Sequence, residues 1–247
     1  MRFALINNAR VEPSSKQKGL CPVCAAPVTA KCGKQRIWHW AHDSKKICDH
    51  WWEPETKWHR DWKNEFPREC QEIIHLDEKS GEKHIADVKT SDGMVIEFQH
   101  SHLKPEERTA REDFYKNMIW VVDSNRLKGD LLRFIKGQVH FERTRQRGIF
   151  LTYAPEKSFS VEWVQSSKHV IFDFQGNGLW LLFSWRVGGY AIISEISRRD
   201  FVAAPIRCLY GLISKLSQIP QLQQFMPKRE RPQRPFHGNN LTRGRRL

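Results

Sequence analysis

The chain has 247 residues, 39% of them hydrophobic, and a formal net charge of +13. That length suits one large domain or two or three small ones, and the apolar content excludes a disordered chain. No apolar run is long enough to span a membrane, and Met1 to Pro13 lack a signal peptide's apolar stretch.

These features place the chain in the cytoplasm, where six cysteines serve as thiols or metal ligands rather than disulfides. The positive charge calls for a polyanionic partner, nucleic acid and DNA first. Seven basic residues and one acid, Glu230, fall between Lys228 and Arg246, in a Pro- and Arg-rich end that reads as a disordered tail over 226–247.

Residues 1–50 are Cys- and His-rich with little helical periodicity. Cys21-Pro22-Val23-Cys24 and His39-Trp40-Ala41-His42 form two close pairs, the spacing of a tetrahedral zinc site. Four protein ligands, Cys21, Cys24, His39 and His42, make such a site closed and structural. Cys32, Cys48 and His50 lie near enough in sequence to replace one of them.

From 51 to 145 the elements are more legible. Trp52–Phe66 reads as a helix with Pro54 in its first turn. Gln71–Leu76, Lys83–Lys89 and Met94–Gln99 read as strands, the last two joined by Ser91-Asp92-Gly93. Pro105–Asn117 is a second helix, opened by Pro105, Glu106 and Glu107, and Met118–Asp123 an apolar strand. The order is α-β-β-β-α-β.

A three-residue loop at 91–93 sets Thr90 opposite Met94, and counting back sets Asp87 opposite Glu97, with Cβ atoms about 5 Å apart. Facing like charges are destabilising unless a cation lies between them, and hard oxygen ligands suit magnesium or manganese. Gln99 shares the face of Glu97. On the first helix Glu55, His59 and Lys63 recur at i, i+4, i+8. On the second, Arg108, Arg111 and Tyr115 share a face, and arginine's planar fork suits phosphate. Residues 146–225 open with aromatic β-type runs at Ile149–Tyr153, His169–Phe174 and Leu179–Phe183, followed by an apolar helix at about 201–218. They read as a C-terminal α+β domain.

Several of these motifs, in this order, resemble the competence protein CoiA family: Cys21–Cys24 with Trp38-His39-Trp40-Ala41-His42, then Glu55-Thr56-Lys57-Trp58-His59, Asp87 with Ile96-Glu97-Phe98-Gln99, and Arg111 to Tyr115 with Met118 to Asp123. The resemblance covers roughly residues 10–125. It implies an N-terminal zinc-finger-like element and an α+β, restriction-endonuclease-like nuclease domain of the PD-(D/E)XK type.

In that pattern Asp87 and Glu97 bind the metal, and a lysine two residues after the Glu helps activate water. Here Gln99 stands in the lysine's place and carries no charge; Lys89 or His59 are the expected substitutes. The expected activity is metal-dependent hydrolysis of DNA phosphodiesters. Glu55, His59, Asp87, Glu97 and Gln99 are its catalytic residues, and Arg108, Arg111 and Tyr115 contact phosphate. The alternative is a non-catalytic DNA-binding adaptor. The oligomeric state is left open, a homodimer included.

Overall fold

The computed structural model describes residues 1–44, 48–78 and 80–219; the basic tail expected from residue 226 lies outside the described residues. The fold is α+β. Five short antiparallel strands, β1 (Ala4–Ile6), β2 (Ala9–Val11), β3 (Lys18–Leu20), β4 (Pro27–Lys31) and β5 (His39–His42), form an N-terminal sheet in the order β2-β1-β3-β4-β5. Ala4, Val28, Ala30 and Trp40 are buried beneath it, together with Met1 and Cys21.

The expected α-β-β-β-α-β order follows: α1 (Lys57–Asn64), β6 (Gln71–Leu76), β7 (Lys83–Lys89), β8 (Val95–Gln99), α2 (Pro105–Tyr115) and β9 (Met118–Asp123). The first helix is shorter than its apolar pattern suggested. Thr56 caps it, accepting from the His59 N–H while its own N–H donates to His59 Nδ1 at 3.3 Å, a capping box closed by histidine instead of glutamate. Pro54 and Glu55 therefore precede the helix rather than occupy its first turn.

The remaining elements are α3 (Lys128–Gly137), β10 (Glu142–Arg143), β11 (Ile149–Thr152), α4 (Val161–Val164), β12 (His169–Asp173), β13 (Leu179–Val187), β14 (Tyr190–Ile196), α5 (Arg198–Ala203) and α6 (Pro205–Leu216). The expected helix at 201–218 is two helices. Pro205 lacks the N–H that a continuing helix needs and forces Ala204 into an extended conformation, φ −160° and ψ 79°.

Strands β6 to β14 make one nine-stranded sheet in the order β10-β11-β14-β13-β12-β9-β8-β7-β6. β9 pairs in parallel with both β8 and β12. All six of its residues are buried, as a strand covered on both faces requires. Ile119 and Val121 pack with Trp62 of α1 and Phe201 of α5. Met118, Trp120 and Val122 pack on the opposite face with Tyr115 of α2, Phe134 of α3 and Trp163 of α4. The result is a helix–sheet–helix sandwich. The division expected at residue 145 falls inside this continuous sheet, because β9 finds its second neighbour, β12, beyond it. Among the described residues no helix is long and apolar enough to cross a membrane.

Candidate metal centre and acidic cavity

Cys21, Cys24, His42 and Cys48 bring their ligand atoms within 4.8 Å of one another. Cys21 Sγ lies 3.7 Å from Cys48 Sγ, and Cys24 Sγ 3.4 Å from His42 Nε2. Bonds of about 2.3 Å to sulfur at tetrahedral angles put two sulfurs about 3.8 Å apart, so the cluster has the size of a zinc-type site. Burial and the neighbouring Cys21 push the Cys48 thiol up to about 12.

The donor set corrects the expected one. His39 lies outside the cluster. It is three residues from His42 on β5, so strand alternation turns the two side chains to opposite faces. His39 Nδ1 instead lies 2.8 Å from the carbonyl of Ile37. Cys48 takes the fourth position.

The β7–β8 hairpin has the register read from its loop. The Thr90 N–H donates to the Met94 carbonyl at 2.9 Å, and Gly93 supplies the positive φ of the turn, 83°. Lys89 pairs with Val95 and Val88 with Ile96, which sets Asp87 opposite Glu97. At this step side chains replace the ladder. The Asp87 N–H donates to Glu97 Oε1 at 3.1 Å, and the Phe98 N–H donates to Asp87 Oδ2 at 3.0 Å. Each carboxylate is thus held by the partner strand's backbone.

Both acids line a cavity of about 80 Å³, together with Glu55, His59, Lys63, Glu72, Arg111 and Tyr115. Burial, then the charge of Asp87, pushes Glu97 up to about 8, with Arg111 opposing. Burial also raises Asp87, against the pull of Lys63 and His59. Like charges at facing positions of one hairpin, one buried and one half-buried, are eased by a proton or a cation between them.

Glu55 reaches the cavity from before α1, not from its face. Lys63 Nζ stands 2.8 Å from Glu55, 3.0 Å from Glu72 and 3.7 Å from Asp87. Burial opposes ionisation of Glu55, but Lys63 and Arg60 hold it at about 2. Glu72 had no signal in the sequence. It sits in β6 with φ 47°, a left-handed conformation rare for a non-glycine residue in a strand. This kink lets its carboxylate accept from the backbone N–H groups of Arg2 and Phe3 as well as from Lys63. The N-terminal module is thereby joined to the cavity.

His59 lines the cavity with Nδ1 facing the Thr56 N–H, and burial lowers its pKa. Its neutral ring therefore carries the proton on Nε2. Lys89 is turned away, 3.3 Å from His75 Nδ1. Gln99 does not face Asp87. Its Nε2 donates to Glu53 at 2.6 Å and to the Ser101 carbonyl at 3.1 Å, while its buried Oε1 has no hydrogen-bond partner among the described residues. Glu53, which also accepts from the Ser101 hydroxyl, was not apparent in the sequence.

The helix α2 residues act from behind. Arg111 Nη1 lies 3.4 Å from Glu97, and Nη2 donates to the Trp51 carbonyl at 2.8 Å and to Glu107 at 2.5 Å. Arg108 does not line the cavity. It is buried against Glu112 and the carbonyl of Gln165, which removes it from the expected phosphate contact. Tyr115 lines the cavity, its hydroxyl pKa raised by burial.

No curated protein and no solved structure matches the chain. Residues 6–50 match the family model described as competence protein CoiA, N-terminal domain, and that span contains all four members of the Cys–His cluster. Over residues 6–50 the chain is thus similar to the N-terminal domain of the competence protein CoiA family.

Proposed function

We propose that the acidic cavity is the site of a metal-dependent nuclease that hydrolyses DNA, in a chain whose Cys–His cluster holds structural zinc. The observation that carries this reading is the opposed pair of half-buried Asp87 and buried Glu97, each fixed by the partner strand's backbone, with burial and the charge of Asp87 pushing Glu97 to about 8. Such a pair fits a magnesium or manganese ion. A divalent cation there would lower the pKa of water and offset charge on phosphate oxygens.

The chain's own groups have distinct tasks in this reading. Asp87 and Glu97 provide oxygen ligands, and Arg111 keeps Glu97 in place. His59 presents Nε2–H as donor to a phosphate or leaving oxygen. Lys63 supplies the positive charge that Gln99 lacks, from a helix rather than from β8. Gln99 offers its unpartnered Oε1 to a donor such as water. The family match supports a competence-related role. The second reading, a DNA-binding adaptor without catalysis, draws on Gln99 standing where a lysine is expected.

The deciding assay incubates the purified chain with plasmid, single-stranded DNA and RNA, in magnesium, manganese or EDTA. Cleavage that requires the metal and prefers DNA is expected. Asp87→Asn, which keeps an acceptor for the Phe98 N–H, should abolish cutting, retain DNA binding, and leave stability equal or higher because it relieves repulsion with Glu97. An adaptor retards DNA on a gel and never cuts it. Wild-type cutting by Asp87→Asn removes the hairpin from the mechanism.

A further inference from the structure

We propose that His50, Glu82 and His84 form a second transition-metal site, separate from the Cys–His cluster and from the acidic cavity, which takes a zinc-like divalent ion. The three ligand atoms lie within 4.8 Å of one another. They come from two segments: His50 from the stretch that leads toward α1, and Glu82 and His84 from the entry into β7, Glu82 standing one residue before the strand. Glu82 and His84 are two residues apart, so strand geometry turns both to one side. His84 is buried, while His50 and Glu82 are exposed, so an ion can enter from solvent.

His84 is oriented as a ligand would be. Its Nδ1 lies 2.8 Å from Asp49 Oδ1 and its Nε2 2.8 Å from Glu82 Oε1. Asp49 is itself fixed, accepting from the N–H groups of Trp51 and Ile85, each at 3.0 Å. Trp51 stacks on the imidazole with centroids 3.2 Å apart, and His50 approaches it edge-on at 5.1 Å. Both ring nitrogens of His84 therefore face a carboxylate, and with Nδ1 held by the fixed Asp49, Nε2 and the Glu82 oxygen are the pair that would turn to an ion shared with His50. A carboxylate behind a histidine is the usual outer shell of a metal ligand.

Two imidazoles and one carboxylate suit zinc, cobalt or iron(II) rather than magnesium, and leave further coordination positions for water. The ion would fasten the segment 49–53 to β7. The same segment offers the Trp51 carbonyl to Arg111 and Glu53 to Gln99. It would thus brace one wall of the acidic cavity without entering it.

The test uses full-length protein whose Cys–His cluster is already filled with zinc, titrated with cobalt(II) alone. One further equivalent should bind without the thiolate-to-cobalt charge-transfer band that cysteine ligation produces. His50→Ala combined with Glu82→Ala, both exposed and safe for folding, should weaken that binding at least about 100-fold. Asp87→Asn should leave it unchanged. Absence of the extra equivalent, a thiolate band accompanying it, unchanged affinity in the double variant, or its loss in Asp87→Asn each overturns the proposal. The readout needs no nuclease activity, so failure of the cleavage assay and failure of this site are separable.

Discussion

Lys63 is fully enclosed and faces three acids that arrive from a loop, a kinked strand and a hairpin. Removing one partner of a buried charge set leaves the others uncompensated, at a cost of about 3–5 kcal/mol. Lys63→Met should therefore lose stability of that order in urea denaturation. Adding Asp87→Asn should recover part of the loss; strict additivity of the two changes would separate Lys63 from Asp87. His169 gives a pH dependence of its own. Burial and Lys168 lower its pKa to about 4, and its Nδ1 accepts from the Ser184 N–H at 3.1 Å. The unfolded chain binds this proton near pH 6.5 and the folded one only near 4. The contribution is thus complete above about pH 6.5 and is lost as pH falls toward 4, at up to about 1.4 kcal/mol per unit. His169→Gln keeps an acceptor and should flatten the stability curve between those values. An unchanged slope would place the proton uptake elsewhere.

At the scale of elements, what the sequence disclosed depends on whether a side chain's position follows from local periodicity. The Asp87–Glu97 pair was legible because a three-residue loop and a period of two fix it. The same period, applied to β5, separates His39 from His42, and the pairing of two close His residues by spacing alone overlooked this. Glu55 was placed on a helix face although Thr56 begins the helix one residue later; it meets Lys63 all the same. Glu53 and Glu72 were invisible because one lies on a loop and the other depends on a left-handed backbone that no local pattern announces. The metal centre offers a direct comparison. Cys48→Ser should lower bound zinc and destabilise the N-terminal sheet, whereas His39→Ala should retain the zinc content of the unaltered chain, measured by metal analysis of purified protein. Zinc lost from His39→Ala and kept in Cys48→Ser would reverse the assignment.

At the scale of the whole molecule, the strands that carry the acids were legible and their neighbours were not. The aromatic runs after residue 145 predicted strands. Nothing in them announced that β12 would lie parallel beside β9, since the partner of a strand is a long-range choice. β14 was missed altogether, and with it the pairing that links β13 to β11. That seam governs how the chain can be divided. A fragment ending at residue 145 would present β9 with one bare row of N–H and C=O groups along a strand whose first five residues, Met118 to Val122, are apolar. Such an edge is a template for pairing with another chain. The fragment should therefore precipitate or form large assemblies in size-exclusion chromatography while the intact chain elutes as a discrete species. A soluble, monomeric 1–145 fragment would show that the acidic half can fold by itself. In the intact chain β12 occupies that edge, so the second half covers the surface on which the fragment is expected to assemble.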